Sequence, residues 1–162
     1  MRWEEFEQAC PELATEARQR FEKDQLVMLG TNRRDGWSRI SPCECDFAAG
    51  HLFLGMMWRS PKALDLLRDP RVTVHSVTVN REGTDGDIKL YGRAIDIQDA
   101  DLRQVFRQAI KERIDWAPKE PEYHLFALDV ERAGTLRFGG VKQVAAWDPE
   151  LGLRRWTEAE PE

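Results

Sequence analysis

A hydroxyl group and a cation, both of which can bind a phosphate, lie at one predicted helix start in this sequence. Ser60 and Pro61 are typical of the N-cap and the first position of a helix, and Lys62 follows in the first turn. The N-terminus of a helix exposes unpaired backbone N–H groups and a partial positive charge, both of which favour an anion such as phosphate. The same partial charge disfavours a lysine unless an anion is bound. The pattern therefore predicts an anion site at residues 60–62.

Arg39 lies on a second element that we expect to reach the same place. It belongs to a predicted strand over residues 37–47, which pairs with an apolar strand over 51–57 that leads into the helix. A guanidinium can bind two phosphate oxygens at once, and Ser41 faces the same side as Arg39 in an extended strand. These charges are equally compatible with a solvated surface, and composition alone does not separate the two interpretations.

The elements that must position these groups are mostly strands. Alternating or continuous apolar residues bounded by turn residues predict strands over residues 26–31, 37–47, 51–57, 71–79, 88–97, 125–130, 134–138, 144–147 and 153–156. The inward-facing parity changes within the fifth strand, which predicts a kink near Gly92. Residues 158–162 are expected to form a frayed tail.

Four helices interrupt these strands. Two short ones are predicted within residues 1–24, one begins at Ser60 and stops at Pro70, and one is capped by Asp99. The apolar face of the last is predicted to consist of Leu102, Val105, Phe106, Ala109 and Ile110. Helices among mostly antiparallel strands predict a mainly β fold with accessory helices, in the form of a barrel.

Length and composition narrow the class of protein. With 162 residues, the chain suits a single domain over 1–162, and no apolar run approaches the length of a membrane span. The net charge of −5 opposes nucleic-acid binding. The N-terminus lacks the apolar stretch of a secretory signal, so we expect a cytoplasmic protein. Three cysteines and three histidines without ligand spacing predict neither a disulfide framework nor a metal site.

Four segments together resemble a known family. They are Arg39-Ile40-Ser41-Pro42, the stretch GHLFLG at 50–55, the stretch SPKALDLLRDPRV at 60–72, and LYGRA at 90–94. In order and spacing they resemble the pyridoxamine 5′-phosphate oxidase-like family of split β-barrel flavin proteins. The resemblance covers about residues 26–97, and the stretch at 60–72 is its most specific part.

The resemblance implies a split β-barrel that forms a homodimer and binds FMN at the subunit interface. It assigns the phosphate to Arg39 and to the helix start, and the isoalloxazine ring to strand backbone. The implied cofactor-binding residues are Arg39, Ile40, Ser41, Pro42, Gly55, Met56, Ser60, Pro61 and Lys62. The sequence departs from the family at Pro61, where many members carry a second basic residue. It departs again at Asp87, near the position of a glutamine that some members use against the cofactor.

The resemblance implies an FMN-dependent oxidoreductase of a small-molecule substrate. Residues 138–162 lack the arginine- and histidine-bearing motif of pyridoxine-phosphate oxidase, so that activity is not expected. A deazaflavin-dependent reductase and a non-catalytic flavin- or haem-binding carrier or sensor remain open with the same fold. No catalytic side chain is singled out, because the cofactor itself carries the hydride. A tryptophan could cover a planar ring, the candidates being Trp58, Trp116, Trp147 and Trp156.

Overall fold

Eight antiparallel strands form one sheet in the computed structural model, which describes residues 1–159. The order of the strands is β3-β2-β1-β4-β5-β6-β7-β8, and a further pairing between β3 and β6 closes the first six into a barrel. The elements are α1 (Trp3–Ala9), α2 (Pro11–Asp24), β1 (Leu26–Asn32), β2 (Ser38–Ala48), β3 (His51–Met57), α3 (Pro61–Arg68), β4 (Arg71–Ser76), β5 (Asp87–Asp96), α4 (Ala100–Ile114), β6 (Tyr123–Arg137), β7 (Val141–Asp148) and β8 (Gly152–Ala159). The fold is therefore the predicted mainly β barrel with accessory helices.

The larger of two cores fills the barrel. Alternate residues of β1, among them Val27 and Leu29, are fully buried, as a strand with one inward face requires. The first two helices add large aromatic side chains to this core, including Trp3, Phe6 and Phe21. Burial of these rings explains why α1 and α2 pack against the barrel instead of extending from it.

The smaller core lies between α4 and the two strands that close the barrel. Phe106 and Ile110 of α4 pack there with Phe53 of β3 and Leu125 of β6. As a result, β3 and β6 are covered on both faces, and their sequences are correspondingly apolar over long runs. This second core fixes α4 beside the opening described below.

The predicted kink in the fifth strand is confirmed. The register between β5 and β6 shifts between Tyr91 and Gly92, as at a β-bulge. A Cβ atom at Gly92 would lie 1.9 Å from the carbonyl oxygen of Asp129, so only glycine fits there. The close approach lets the long strands bend around the barrel.

Other boundaries differ from the sequence expectations. β4 ends at Ser76, whereas the apolar residues beyond it predicted a longer strand. The two strands predicted over 125–138 form the single strand β6, because Arg132 and Ala133 between them continue the pairing with β5. Glu158, expected in a frayed tail, lies in β8, and residues 160–162 of that tail lie outside the described residues.

Helix α4 presents most of the predicted face. Phe106 and Ile110 are buried and Leu102 packs against their core, whereas Val105 is exposed and Arg103 is buried as well. Arg103 is buried because its side chain makes hydrogen bonds that the apolar pattern does not register. Within residues 1–159, no helix is long and apolar enough to cross a membrane.

Candidate functional site

The barrel is split where β2 is not paired with β3. β2 pairs with β1 from Ser38 to Glu44, but it pairs with β3 only from Glu44 to Ala48. Beyond Met57, the chain turns away and enters α3, so the first half of β2 has an edge without a strand partner. A cavity of about 620 Å³ lies beside this edge. Its lining residues are Leu26, Pro42, Cys43, Glu44, Gly55, Met56, Met57, Lys62, Phe106, Ile110, Trp116, Ala117, Pro118, Lys119, Glu122 and Tyr123.

Lys62 spans the split from the first turn of α3. Its ammonium group donates a hydrogen bond to the backbone carbonyl of Pro42 on β2. Among the described residues, no carboxylate lies within ion-pair distance of it. The positive charge of Lys62 is therefore at the cavity, without an ion-pair partner among the described residues.

Ser60 occupies the N-cap position of α3 without capping the helix through its side chain. Its carbonyl accepts the first helical hydrogen bond, from the Leu64 N–H, but its hydroxyl makes no bond to the first-turn N–H groups. The Ser60 residue is only 8% exposed, and its Oγ is buried without any hydrogen-bond partner. Ser60 is therefore the predicted N-cap residue, but its hydroxyl does not cap the helix, and a buried polar atom at the helix N-terminus stays unsatisfied.

Arg39 is held by a carboxylate of α3. Its Nε donates to Oδ2 of Asp65 at 2.7 Å, and Thr31 and Arg68 also donate to this carboxylate. Burial opposes ionisation of Asp65, but the hydrogen bonds from Arg39 and Thr31 outweigh it and hold the pKa of the carboxyl below its usual range. Arg39 thus ties β2 to α3, a contact that the sequence did not predict.

The predicted cofactor-binding residues fall into two groups. Pro42, Gly55, Met56 and Lys62 line the cavity, whereas Arg39, Ile40, Ser41, Ser60 and Pro61 do not. Alternation along β2 places Ile40, which is 65% exposed, on the outward face with Pro42, and Arg39 and Ser41 on the opposite face. The division instead follows position along the strand, since on β2 only residues from Pro42 onward reach the cavity. We refer to Arg39, Ser60 and Lys62 as the α3 anion site.

Gly55 has a specific steric role in the cavity. A Cβ atom at this position would lie 2.8 Å from Cζ of Phe106, on the helix that packs across β3. Phe106 also lines the cavity, so the absence of a side chain at Gly55 lets the Phe106 ring form its floor. The sequence predicted Gly55 as a site residue and not its partner on α4.

Of the far wall of the cavity, the sequence predicted only Trp116 as a candidate contact. The wall is made by α4, the segment that joins α4 to β6 and the first residue of β6, with Ile110, Trp116, Pro118 and Tyr123 among its residues. The apolar spacing of α4 was a sufficient signal that this helix packs on the barrel. Nothing in the spacing of the joining segment indicated where it would lie.

The candidate tryptophans are in four different environments. Trp116 lines the cavity, Trp147 is buried against Phe6, and Trp156 lines a separate groove. Trp58 stacks on His124, with ring centroids 4.5 Å apart and an angle of 9° between the planes. Of the four, Trp116 alone is positioned to contact a ligand in the cavity.

Two polar positions discussed from the sequence also lie elsewhere. Asp87 is bonded to Lys89 and to the Leu136 N–H, away from the cavity. Burial opposes its ionisation, but His75 and Lys89 lower the pKa of Asp87 to about 2. Cys43 does line the cavity, where burial raises the pKa of its thiol to about 12, so it is not a nucleophile at neutral pH. Residues 1–159 contain no cluster of histidine, cysteine or carboxylate side chains suited to a metal ion.

Solved structures of similar fold include proteins with different ligands. A Clostridium acetobutylicum protein related to general stress protein 26, of the pyridoxinephosphate oxidase family, has a TM-score of 0.62 at 16% identity over 96% of this chain and 95% of its own. PhzG from Burkholderia lata, solved with tetrahydrophenazine-1-carboxylic acid, has a TM-score of 0.64 at 12% identity, covering 91% of this chain and 88% of its own. HutZ, the haem storage protein of Vibrio cholerae, has a TM-score of 0.60 at 18% identity, covering 74% and 90%. At these identities the likeness concerns the fold.

The sequence itself matches a family model. No curated protein sequence matches the chain significantly. The model described as pyridoxamine 5′-phosphate oxidase matches residues 13–137, which hold the six barrel strands, α3 and the whole cavity. Members of this fold family include both flavin-binding oxidoreductases and haem-binding proteins. Because the match covers most of the chain and the split barrel agrees with it, the protein belongs to the pyridoxamine 5′-phosphate oxidase family.

Proposed function

We propose that this protein is an FMN-dependent oxidoreductase that acts on a small molecule, with the phosphate of FMN bound at the α3 anion site. The observation that carries the proposal is the buried, unpartnered hydroxyl of Ser60 at the N-terminus of α3. Two residues further on, Lys62 adds a positive charge without a carboxylate partner among the described residues. An acceptor dianion satisfies both groups at once.

The donors at this site suit a phosphate. A buried hydroxyl without a partner costs about 1–3 kcal/mol, and a phosphate oxygen recovers that cost by accepting its hydrogen bond. The first-turn N–H groups of α3 and the ammonium of Lys62 are further donors. Arg39 uses Nε for Asp65, so its terminal nitrogens are the atoms that would reach the anion.

The cavity suits the ring of the cofactor. Its apolar lining residues include Met56, Phe106 and Trp116, and the backbone of β2 forms one edge. When bound, FMN supplies the capacity to exchange a hydride or single electrons with a substrate. The protein binds the phosphate at one end, orients the ring along β2 and excludes water with the apolar floor.

The proposal favours flavin over haem. Histidine is a common axial ligand of haem iron, and none of the three histidines lines the cavity in the described part of the chain. His124 is covered by the ring of Trp58, and its Nε2 is buried. A substrate with its own phosphate is disfavoured as well, because Lys62 is already assigned to the cofactor and residues 138–162 carry no histidine.

We further propose that the protein works as a homodimer in the cytoplasm. Exposed apolar side chains lie on the outward face of the sheet and at the edge of the cavity, notably Ile40, Tyr91 and Met57. On the outward face, Ile40 of β2 and Thr73 of β4 lie on either side of Gly30 of β1, and Thr73 pairs with Tyr91 of β5. These residues form one row across four adjacent strands. A second copy that covers the row would also shield the cavity edge at Met57. All three cysteines are free and buried, in keeping with a reducing compartment.

The test is the visible spectrum of the protein after incubation with FMN and removal of free ligand. Retention of flavin absorbance at one equivalent per chain supports the proposal, and bleaching by NADH or NADPH followed by reoxidation supports turnover. Mass spectrometry of the extracted cofactor distinguishes FMN from a deazaflavin, which would keep the anion site and change the cofactor. No retained flavin would sink the proposal. Light scattering after size exclusion tests the dimer, and a monomer would contradict it.

A further inference from the structure

The segment between α4 and β6 forms a wall of the cavity although it has little regular structure. We call residues 115–122 the wall segment. Four consecutive residues of it line the cavity, and Trp116 carries the largest side chain among them. Its backbone hydrogen bonds are local: Asp115 donates its N–H to the carbonyl of Lys111 at the end of α4, and Glu122 donates to that of Lys119. Between these bonds, the position of the wall depends on side-chain contacts.

Two arginines of α4 provide those contacts. Arg103 donates to the carboxylate of Glu120 through Nε at 3.0 Å and through Nη2 at 2.7 Å. One turn along the helix, Arg107 donates through Nε to the carbonyl of Pro118 at 3.0 Å. Arg103 is itself nearly buried and also donates to the carbonyl of Ile97. These bonds hold the middle of the wall segment against α4.

Glu120 connects the helix to β6 as well. The hydroxyl of Tyr123, the first residue of β6, donates to Oε1 of Glu120 at 2.7 Å. The guanidinium of Arg103 lies over the Tyr123 ring at 4.2 Å. The hydrogen bond from Arg103 holds the pKa of Glu120 below its usual range, so the carboxylate is ionised at neutral pH. One carboxylate thus accepts from the helix on one side of the wall and from the strand on the other.

We propose that Glu120 is a positioning residue for the ring end of the ligand site. Through Arg103 and Tyr123 it fixes the wall segment, and therefore the Trp116 side chain, at a set distance from the floor formed by Phe106. This inference rests on the proposed function, since it takes the cavity to be the place of the flavin ring. Glu120 does not line the cavity itself, so it acts on the ligand only through the wall.

Helix α4 makes this arrangement effective because it carries the floor and the anchors together. Phe106 and Ile110 line the cavity from the same helix that holds Arg103 and Arg107. The width of the cavity is then set within one rigid element and its bonded loop, and not by two independently moving parts. Preorganisation of this kind lowers the entropic cost of ordering the loop when a ring binds.

The experiment compares FMN with riboflavin, which has the same ring and lacks the phosphate. For Glu120→Ala, we expect dissociation constants for both flavins to rise by about five- to tenfold, with their ratio unchanged, because only the ring end is loosened. Glu120→Gln keeps the shape of the side chain, so we expect its dissociation constants to rise by about half as much on a logarithmic scale. Glu131→Gln is the matched control, because Glu131 forms an exposed ion pair with Arg93 between β5 and β6.

A double-mutant cycle separates positioning from a general loss of structure. Trp116→Ala should weaken both flavins, and Glu120→Ala should add little in the Trp116→Ala background, because Glu120 acts through Trp116. Full additivity, or wild-type affinity of Glu120→Ala and Glu120→Gln, would overturn the inference. Thermal unfolding of each variant identifies any that fails to fold, in which case Glu120→Gln decides.

A measurement without flavin keeps this inference distinct from the proposed function. The quenching of Trp116 fluorescence by acrylamide is obtained by comparing each protein with the same protein carrying Trp116→Phe. It should rise in Glu120→Ala and stay at the wild-type level in Glu131→Gln. If wild-type protein binds no flavin, the proposed function fails, and this measurement still decides whether Glu120 positions the wall. Unchanged quenching of Trp116 in Glu120→Ala would contradict the inference.

Discussion

Two regions of this protein each contain a pair of cations, and the pairs differ in whether each cation has a carboxylate partner. A groove of about 440 Å³ lies between α2 and the β7–β8 hairpin, and we call it the hairpin groove. There, Arg155 is paired with Glu12 and Arg137 with Glu16. At the α3 anion site, by contrast, Lys62 has no carboxylate partner among residues 1–159.

Under the proposed function, the pairing of the cations, and not their number, distinguishes the two regions. Exposed ion pairs such as that of Arg155 contribute little stability and leave no net charge to attract a ligand. The α3 anion site keeps a free charge beside a helix N-terminus and a buried hydroxyl. Such an arrangement is unfavourable for an isolated protein and becomes favourable when an anion binds.

The largest effect is expected at the paired part of the α3 anion site. Asp65 is 5% exposed and accepts hydrogen bonds from Arg39, Thr31 and Arg68. Asp65→Asn leaves the Arg39 charge without its counter-ion, so we expect the free energy of unfolding to fall by about 3 kcal/mol. Urea denaturation measures it. A loss below about 0.5 kcal/mol would mean that Asp65 does not hold β2 to α3.

The same pair gives a pH dependence with a defined sign. The folded pKa of Asp65 lies below its unfolded value near 3.9, so its contribution to stability is present above about pH 4 and is lost as the pH falls through the folded pKa. The difference in unfolding free energy between wild type and Asp65→Asn should therefore shrink below about pH 4. Urea denaturation from pH 3 to 7 checks this, and a difference that grows towards low pH would contradict the assignment.

The next effect concerns the unpaired charge. Lys62→Ala removes a charge-assisted hydrogen bond to the phosphate, worth about 2 kcal/mol, so we expect FMN to bind about 30-fold more weakly. Flavin fluorescence titration measures the dissociation constant. Lys142→Ala is the control, because Lys142 is paired with Glu158 on the hairpin and should leave FMN binding unchanged. Equal losses of FMN affinity in Lys62→Ala and Lys142→Ala would contradict the assignment of the phosphate to the α3 anion site.

Ser60→Ala should have a smaller effect, with opposite consequences for the free and bound protein. Without ligand, replacing a buried unsatisfied hydroxyl with a methyl group should leave stability unchanged or slightly raised. With FMN, the loss of one hydrogen bond should weaken binding about fivefold. Thermal unfolding with and without FMN measures both. A variant that is destabilised without ligand would show that the hydroxyl has a structural partner.

The smallest effect is expected in the hairpin groove. Arg155→Ala breaks an exposed ion pair with Glu12 and should change the free energy of unfolding by less than about 0.5 kcal/mol. FMN affinity should be that of wild type. A loss of FMN binding in Arg155→Ala would mean that the phosphate binds in the hairpin groove and not at the α3 anion site.

The sequence was sufficient for the barrel and for the start of α3. Alternation in β1, the turn residues, the kink at Gly92 and the Ser60–Pro61 helix start are all local signals, and each is found where it was predicted. The cavity-lining positions Pro42, Gly55 and Lys62 followed from the resemblance to the family.

The remaining features depend on contacts between residues that are distant in the chain. The Arg39–Asp65 pair joins positions 26 residues apart, and neither charge indicates its partner. The wall segment lies where Arg103 and Arg107 hold it, and a buried arginine on an apolar helix face contradicts the pattern used to predict that face. Long-range polar pairing is therefore the part of this site that a single sequence did not reveal.

The most direct test of the account is the preference of the protein for FMN over riboflavin. Titration of both ligands into wild-type protein and into Lys62→Ala isolates the contribution of the phosphate at the α3 anion site. We predict that wild type binds FMN at least about 30-fold more tightly than riboflavin, and that Lys62→Ala loses most of this preference while its riboflavin affinity is unchanged. Equal affinity of wild type for the two flavins, or an undiminished preference in Lys62→Ala, would contradict it.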